Sequence, residues 1–278
     1  MHLRVGASTD RGRVRTLNED AYMLRANEGL FIVCDGMGGA PAGEVASQMA
    51  VDAIGRQLEA VAQERTEPAT AGNDPYLAHT SKLAAAVRWS NAFIYDQAQK
   101  DPQQSGMGTT VVGAWIREHV ASVAHVGDSR AYLWHDDRLE PLTRDHSLAE
   151  AHIDAGLADR NAEVPAAHQS VLVRVLGREP DVDVDLSEVP VQAGDYVLLC
   201  SDGLTRMVPE CVLAKAIIEF REPQRICDYL IATANGNGGA DNITVVVVEV
   251  ADRWWRRLVD RWRKPTRRGQ DVEAYSAI

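Results

Sequence analysis

Apolar positions along this chain fall into short continuous runs of strand length and longer stretches of helical spacing. Leu3 to Ser8 alternates weakly and predicts a first strand. Gly29 to Cys34, Val111 to Ile116, His119 to Val126, Ala131 to Trp134 and Asp195 to Cys200 are strand-length runs, mostly apolar. Ile243 to Val250 is almost continuously apolar, which predicts a central strand buried on both faces. Asp181-Val182-Asp183-Val184-Asp185 alternates cleanly and predicts a strand with one exposed face. Between these runs, Val45, Met49, Ile54, Leu58 and Val61 form an apolar stripe that predicts a helix over about 43–63. A second helix is expected over about 75–100, with Pro75 in its first turn. A short one is expected over about 148–155, and two more over about 209–220 and 223–235. Residues 64–74 and 156–170 are polar and contain proline; the first reads as a loop and the second as a flap. Strands cluster and helices come in pairs. That pattern is α+β, with sheets packed on each other and helix pairs outside.

Composition narrows the class. The 278 residues are 45% hydrophobic and 25% charged, ordinary values for a globular protein with a substantial core. No apolar run approaches the roughly 20 residues needed to span a bilayer. The N-terminus has no apolar signal region, so a cytoplasmic location is expected. Cys34, Cys200, Cys211 and Cys227 show no metal-ligand spacing and read as reduced core residues. The net charge of −11 hides a basic segment. Residues 252–268 carry eight Arg or Lys against two Asp, so the body, 1–251, is more acidic than the whole. An acidic body argues against nucleic acid as a partner and suits a site that gathers cations.

Two matched stretches carry the chemistry. Phe31-Ile32-Val33-Cys34-Asp35-Gly36 and Val197-Leu198-Leu199-Cys200-Ser201-Asp202-Gly203 are apolar runs that each end in Asp-Gly. A strand-end aspartate is held rigidly, and the glycine lets the backbone turn close to whatever the aspartate binds. Two such carboxylates from distant segments suit a hard cation. Thr9 to Asp20, dense in charge between apolar segments, reads either as a solvated hairpin loop or as Arg15, Glu19 and Asp20 brought to one place, where the planar fork of Arg15 could grip phosphate. Gly127-Asp128-Ser129-Arg130 adds a carboxylate on a turn, and Asp241-Asn242 another before the last strand. Ser105 to Thr110 is glycine-rich, but no lysine follows and the next residues read as strand, which excludes a P-loop. Arg174 interrupts an apolar run and is expected to be paired with a carboxylate. His146, at a helix entry, reads as a proton donor, a carboxylate partner or a structural residue.

Seven motifs in order, from Arg15-x-x-Asn-Glu19-Asp20 through Asp35-Gly36-Met-Gly-Gly, Gly108-Thr-Thr, Gly127-Asp128-Ser-Arg, Asp145-His146-Ser and Ser201-Asp202-Gly203 to Asp241-Asn242, resemble the metal-dependent protein phosphatases of the PPM, or PP2C, family. The resemblance covers residues 3–250, leaving 252–278 as a basic, Trp-rich helix and tail. It implies a four-layer αββα sandwich, two central antiparallel sheets flanked by helix pairs. It implies hydrolysis of phosphoserine and phosphothreonine in proteins by a water that bridges two Mn²⁺ or Mg²⁺ ions, with no phosphoenzyme. Asp35 would bridge both ions, Asp202 and Asp241 would complete the first site, and the carbonyl of Gly36 with Glu19 and Asp20 would hold the second. Arg15 would fix the phosphate. Bacterial members bind a third ion, for which Asp128, Asp202 and the backbone of Ser170 match.

One departure matters. Many eukaryotic members carry His where this chain has Met37, and Met cannot donate a proton to the leaving group. Metal-bound water and His146 are the candidate acids, with water favoured. Met37, the compact length and the short loops look bacterial, and bacterial relatives oppose a Ser/Thr kinase, so that kinase and its targets are the expected partners of what is expected to be a monomer. The rival reading is a binding or regulatory protein on the same fold with weak catalysis; the presence of Asp35, Asp202 and Asp241 argues against it. A phosphodiesterase acting on nucleic acid is disfavoured by the acidic body. If 253–264 is helical, Trp254, Trp255, Leu258, Val259 and Trp262 share one face surrounded by Arg and Lys. That face reads either as an anchor on an acidic membrane surface or as a helix packed on the body's own acidic surface.

Overall fold

The computed structural model describes residues 1–38, 42–63, 75–157 and 171–251, without the side chains of 61–63. Expectations placed on Ser170, on most of the flap and on the tail 252–278 lie outside the described residues.

Eleven strands are present among the described residues. In chain order they are β1 (His2–Asp10), β2 (Asp20–Arg25), β3 (Leu30–Met37), β4 (Gly108–Thr109), β5 (Val111–Arg117), β6 (Val120–Val126), β7 (Arg130–His135), β8 (Arg138–Pro141), β9 (Asp185–Pro190), β10 (Tyr196–Cys200) and β11 (Ile243–Ala251). The helices are α1 (Ala42–Gln63), α2 (Ala78–Lys100), α3 (Leu148–Asp154), α4 (Asp202–Thr205), α5 (Glu210–Phe220) and α6 (Pro223–Gly236). One antiparallel sheet has the order β1-β11-β10-β7-β8. The other runs β2-β3-β5-β6-β9, with β4 pairing β3 at its end.

Side-chain alternation explains the layers. In β3, Leu30, Ile32 and Cys34 pack with Ile54, Leu58, Leu83 and Val87 of α1 and α2. Phe31 and Val33 point the other way and meet Val197, Leu199, Val246 and Val248 of the opposite sheet. On that sheet's outer face, Leu198, Cys200, Val245 and Val247 pack under Leu213, Ile217, Ile226 and Leu230 of α5 and α6. A strand covered on both faces has no polar side to show, which is why β3, β10 and β11 read as unbroken apolar runs. The result is the expected αββα sandwich.

Several elements differ from expectation. The strand expected over 181–185 starts at Asp185 and runs to Pro190, because β6 offers partners only from Val120 to His125. Upstream, Val182 and Val184 join the core under the helices, and the Asn91 amide donates to the carbonyls of Glu179 and Pro180. Three strands were not anticipated, one of them the two-residue β4 that pairs with the end of β3. β2 alternates in burial, with Ala21 and Met23 inward and Tyr22 and Leu24 exposed, but all four residues are apolar, so the sequence shows no alternation. β8 follows a tight turn in which Asp136 and Asp137 both adopt positive φ, a conformation usually signalled by glycine or asparagine. Helix α2 starts at Ala78, three residues later than expected. Cys211 is exposed on α5, whose buried face carries Leu213, Ala216 and Ile217; the other three cysteines are buried as expected. Trp89 and Phe93 stack at 5.5 Å on the rim of α2. Among the described residues no helix is long and apolar enough to cross a membrane.

Asp202 does not end in a simple turn; it opens α4, which lies against the segment before β11. A Cβ on Gly203 would sit 1.9 Å from the carbonyl oxygen of Asn242. Backbone cannot yield as a flexible side chain can, so Gly203→Ala is expected to cost on the order of 3 kcal/mol. Urea denaturation of the variant checks this; an unchanged midpoint would show that α4 can move away.

Candidate active site

The strand ends of both sheets open into one cleft of about 470 Å³, lined among others by Arg15, Glu19, Asp35, Gly36, Met37, Asp128, Asp202 and Asp241. Asp20 lies behind it, directly across from Asp35 in the β2–β3 ladder. All the sequence-predicted site residues that the structure describes are thus brought together, although they come from five separate segments.

Each is held by a neighbouring motif. The Asp35 backbone is clamped by the Gly-Thr-Thr segment: its N–H donates to Thr110 Oγ1 at 3.0 Å, and its carbonyl accepts from Thr110 N and Thr109 Oγ1 at 2.9 Å each. Thr110 also exchanges a hydroxyl hydrogen bond of 2.6 Å with Ser129, tying β3 to the turn that carries Asp128. That turn is braced from below. His146 Nδ1 accepts from Gly127 N at 3.1 Å, and Asp145 takes Arg130 in a two-pronged pair at 2.8 Å on each prong. The other ring nitrogen of His146 faces Asp185 at 3.1 Å, and Arg174 meets the same carboxylate at 2.6 Å. His146 is therefore a brace with both nitrogens engaged, and Arg174 has the carboxylate partner its sequence position implied.

The loop that carries Arg15 is stitched by Asn242. Its amide donates to the carbonyls of Arg11 and Leu17 at 2.9 and 2.8 Å, and its side-chain oxygen accepts from Glu19 N at 2.8 Å. Asp20 Oδ2 accepts from Ser201 Oγ at 2.8 Å and Thr244 Oγ1 at 2.7 Å, so the carboxylate of one sheet is gripped by hydroxyls of the other. Gly36 admits no side chain, since a Cβ would lie 2.0 Å from the Gly43 carbonyl oxygen; this keeps the start of α1 pressed on Glu19.

The electrostatics are those of crowded anions. Burial raises the Asp20 carboxyl to about 7, with Asp202 and Asp241 adding repulsion against the two hydroxyls. Burial also raises Asp128 to about 7, next to Asp202. Asp35 is pushed well above the usual carboxylate range by burial and then by Asp20, Asp202, Asp128 and Asp241. Asp202 is raised by burial, and its carboxyl is close enough to Asp35 and Asp128 to share a proton with them. Two arginines offset part of this charge. Arg15 grips Asp241 through Nε at 2.8 Å and Nη2 at 2.9 Å. Arg206 Nη2 lies 2.5 Å from Asp202 and 3.3 Å from Asp128. Among the described residues no three acidic, histidine or cysteine side chains stand as a ready ligand set. Glu19 Oε1, Asp20 Oδ1 and Asp202 Oδ1 remain buried without a hydrogen-bond partner, so the pocket holds acceptors that the protein itself leaves unsatisfied.

Sequence reasoning missed Arg206 and Arg178, which also line the cleft. Arg206 was legible in principle, since it follows Asp202 by four residues and α4 puts both on one face. Arg178 had no such signal.

A profile of the protein phosphatase 2C family matches residues 9–241. The serine/threonine phosphatase Stp of Listeria monocytogenes is 40% identical over 244 residues, which are 87% of this chain and 93% of that protein. The serine/threonine protein phosphatase PstP of Mycobacterium tuberculosis is 36% identical over 251 residues, covering 90% of this chain and 45% of PstP. Among solved structures, the M. tuberculosis phosphatase PstP/Ppp superposes with a TM-score of 0.78 at 34% identity over 91% of this chain and all of that one. A structure of the PstP catalytic domain in complex with two manganese ions superposes with a TM-score of 0.75 at 35% identity, over 90% of this chain and 99% of that one.

Proposed function

The chain belongs to the protein phosphatase 2C family, and on that premise we propose that it hydrolyses phosphoserine and phosphothreonine in proteins with two divalent metal ions, Mn²⁺ or Mg²⁺. The observation that carries this is the concentration of like charge. Burial, and then mutual repulsion, pushes Asp20, Asp35, Asp128 and Asp202 all above the ordinary carboxylate value, Asp20 and Asp128 to about 7. The unsatisfied oxygens of Glu19, Asp20 and Asp202 fit hard, oxygen-seeking ions and not zinc.

In this reading Asp35, central among the carboxylates, would help to hold both ions. Asp202 and Asp241 complete one site; the Gly36 carbonyl, Glu19 and Asp20 serve the other. In such a site the metal pair supplies charge neutralisation and a water acidified for in-line attack on phosphorus. The chain's own residues do the rest. Arg15, half exposed at the mouth, turns its fork from Asp241 to the phosphate, holding the substrate and offsetting charge in the transition state. Met37 borders the cleft but carries no proton, and His146 is committed to Gly127 and Asp185. With neither side chain free to donate, water would supply the proton to the leaving seryl or threonyl oxygen. The names of the bacterial relatives support serine and threonine phosphate as the substrate class, and a Ser/Thr kinase and its targets are the proposed source of it.

The purified chain is expected to release phosphate from a phosphothreonine peptide with Mn²⁺, to stop in EDTA, and to lose at least about 10²-fold in kcat/KM on Arg15→Ala. Turnover that survives EDTA would overturn the metal mechanism. No turnover with either ion would favour the alternative of a binding or regulatory protein on this fold.

A further inference from the structure

Arg206 is the feature of the cleft that the phosphatase reading leaves without a task. It closes α4, with its N–H donating to the Asp202 carbonyl at 2.9 Å. One guanidinium nitrogen, Nη2, lies between two carboxylates of different origin, Asp202 at 2.5 Å and Asp128 at 3.3 Å. Asp202 follows β10 and Asp128 follows β6, so Arg206 joins the two loops across the cleft. The helical i,i+4 spacing keeps Arg206 beside Asp202. Helix α4 itself cannot back away, since Gly203 is packed against the Asn242 backbone.

We propose that Arg206 is a tethered cation which takes the place of a metal ion between Asp128 and Asp202, so that this chain holds two ions firmly and excludes a third. The proposal rests on the metal-dependent reading above and deepens it. Any ion that needs both carboxylates must first displace a guanidinium already at hydrogen-bond distance from one and at ion-pair distance from both. That guanidinium is covalently attached, so it competes at every free-metal concentration and loses little freedom in binding. It is also partly screened from water, with 39% of its side chain exposed against 7% and 11% for Asp128 and Asp202. A single positive charge there neutralises one anion and leaves Asp35 to the two ions of the catalytic centre.

The test counts metal rather than turnover. The full chain is titrated with Mn²⁺ by calorimetry, and the count is checked by elemental analysis after equilibrium dialysis. The wild type is expected to take up two ions per chain. Arg206→Gln is expected to take up three, with the additional step at least about tenfold tighter than any third step in the wild type. Arg206→Gln combined with Asp128→Asn returns the count to two. Asp128→Asn alone leaves it at two, which tests the idea even if Arg206→Gln folds poorly. Three ions in the wild type, an unchanged count in Arg206→Gln, or the loss of one ion from Asp128→Asn overturns the proposal. A wild type that binds no Mn²⁺ at all instead removes the metal-dependent reading on which it rests.

Discussion

Asp35→Asn is expected to eliminate turnover while making the metal-free protein more stable. The two effects have one cause. Asp35 sits where the fields of Asp20, Asp202, Asp128 and Asp241 overlap, and burial withholds the water that would otherwise soften their repulsion. An amide of the same shape removes one of the crowded charges and can donate to Asp202. Stability should rise by about 1–2 kcal/mol near pH 8, a gain of a few degrees in melting temperature for a domain of this size. The same change removes the proposed bridge between two metal ions, and kcat should fall at least about 10³-fold, more than the loss of a single transition-state donor. Thermal unfolding in EDTA and phosphate release in Mn²⁺ are the measurements. A variant that is less stable than wild type without metal would show that Asp35 is held by favourable contacts and not strained by its neighbours.

The stability of the EDTA-treated wild type is expected to fall as pH rises from about 4 to about 7. Asp20 and Asp128 have folded values near 7 against an ordinary 3.8, and Asp35 and Asp202 are raised as well. Between those limits the folded chain keeps protons that the unfolded chain has released. The unfolding free energy then decreases with pH, by as much as about 1.4 kcal/mol per unit for each group acting alone. The carboxylates share protons, so their effects do not add, and a total loss of a few kcal/mol is expected. For Asp20 and Asp128 the stabilisation is complete below about pH 4 and is lost as the pH rises through about 7. Asp10 and Asp185, which are lowered, act in the opposite sense at the acid end, and His125, which burial lowers to about 3, opposes the trend up to about pH 6.5, as do His146 and His79, also lowered by burial. Saturating Mn²⁺ should flatten the slope by replacing protons with metal. Denaturant midpoints measured across this range, with and without Mn²⁺, decide the matter; stability that climbs toward neutrality in EDTA would contradict it.

The layers were legible because strands covered on both faces leave unbroken apolar runs, as in Leu30 to Cys34 and Val245 to Val248, and because the paired helices carry clear stripes. Elements whose formation depends on a partner were not. β8 exists because Asp136 and Asp137 accept a left-handed turn, and β9 begins where β6 can pair with it, not where Asp181 to Asp185 alternates. At the site, every acidic residue singled out from the sequence and described in the structure lies in or beside one cleft, since charges inside apolar context have few other uses. The supporting roles were hidden. Asp145 and His146 look chemical in sequence but brace the Asp128 turn, because their partners Arg130 and Gly127 lie 15 and 19 residues away. Arg206 was hidden for the opposite reason: an arginine after a helical turn looks like surface.

The pairing of β1 with β11 joins residues 2–10 to residues 243–251. Arg15 and Asp241 face each other across that seam, as do Asp20 and Thr244. During synthesis, the earliest part of the centre therefore waits for nearly the latest. A nascent chain ending anywhere before β11 has Arg15, Asp20 and Asp35 but no strand to seat them against, and contacts of such long range form last and slowly. Catalytic competence is thus expected only once β11 is in place, and chains that lack it are expected to be silent toward phosphoproteins around them. Proteolytic removal of the last strand would silence the finished molecule in the same way.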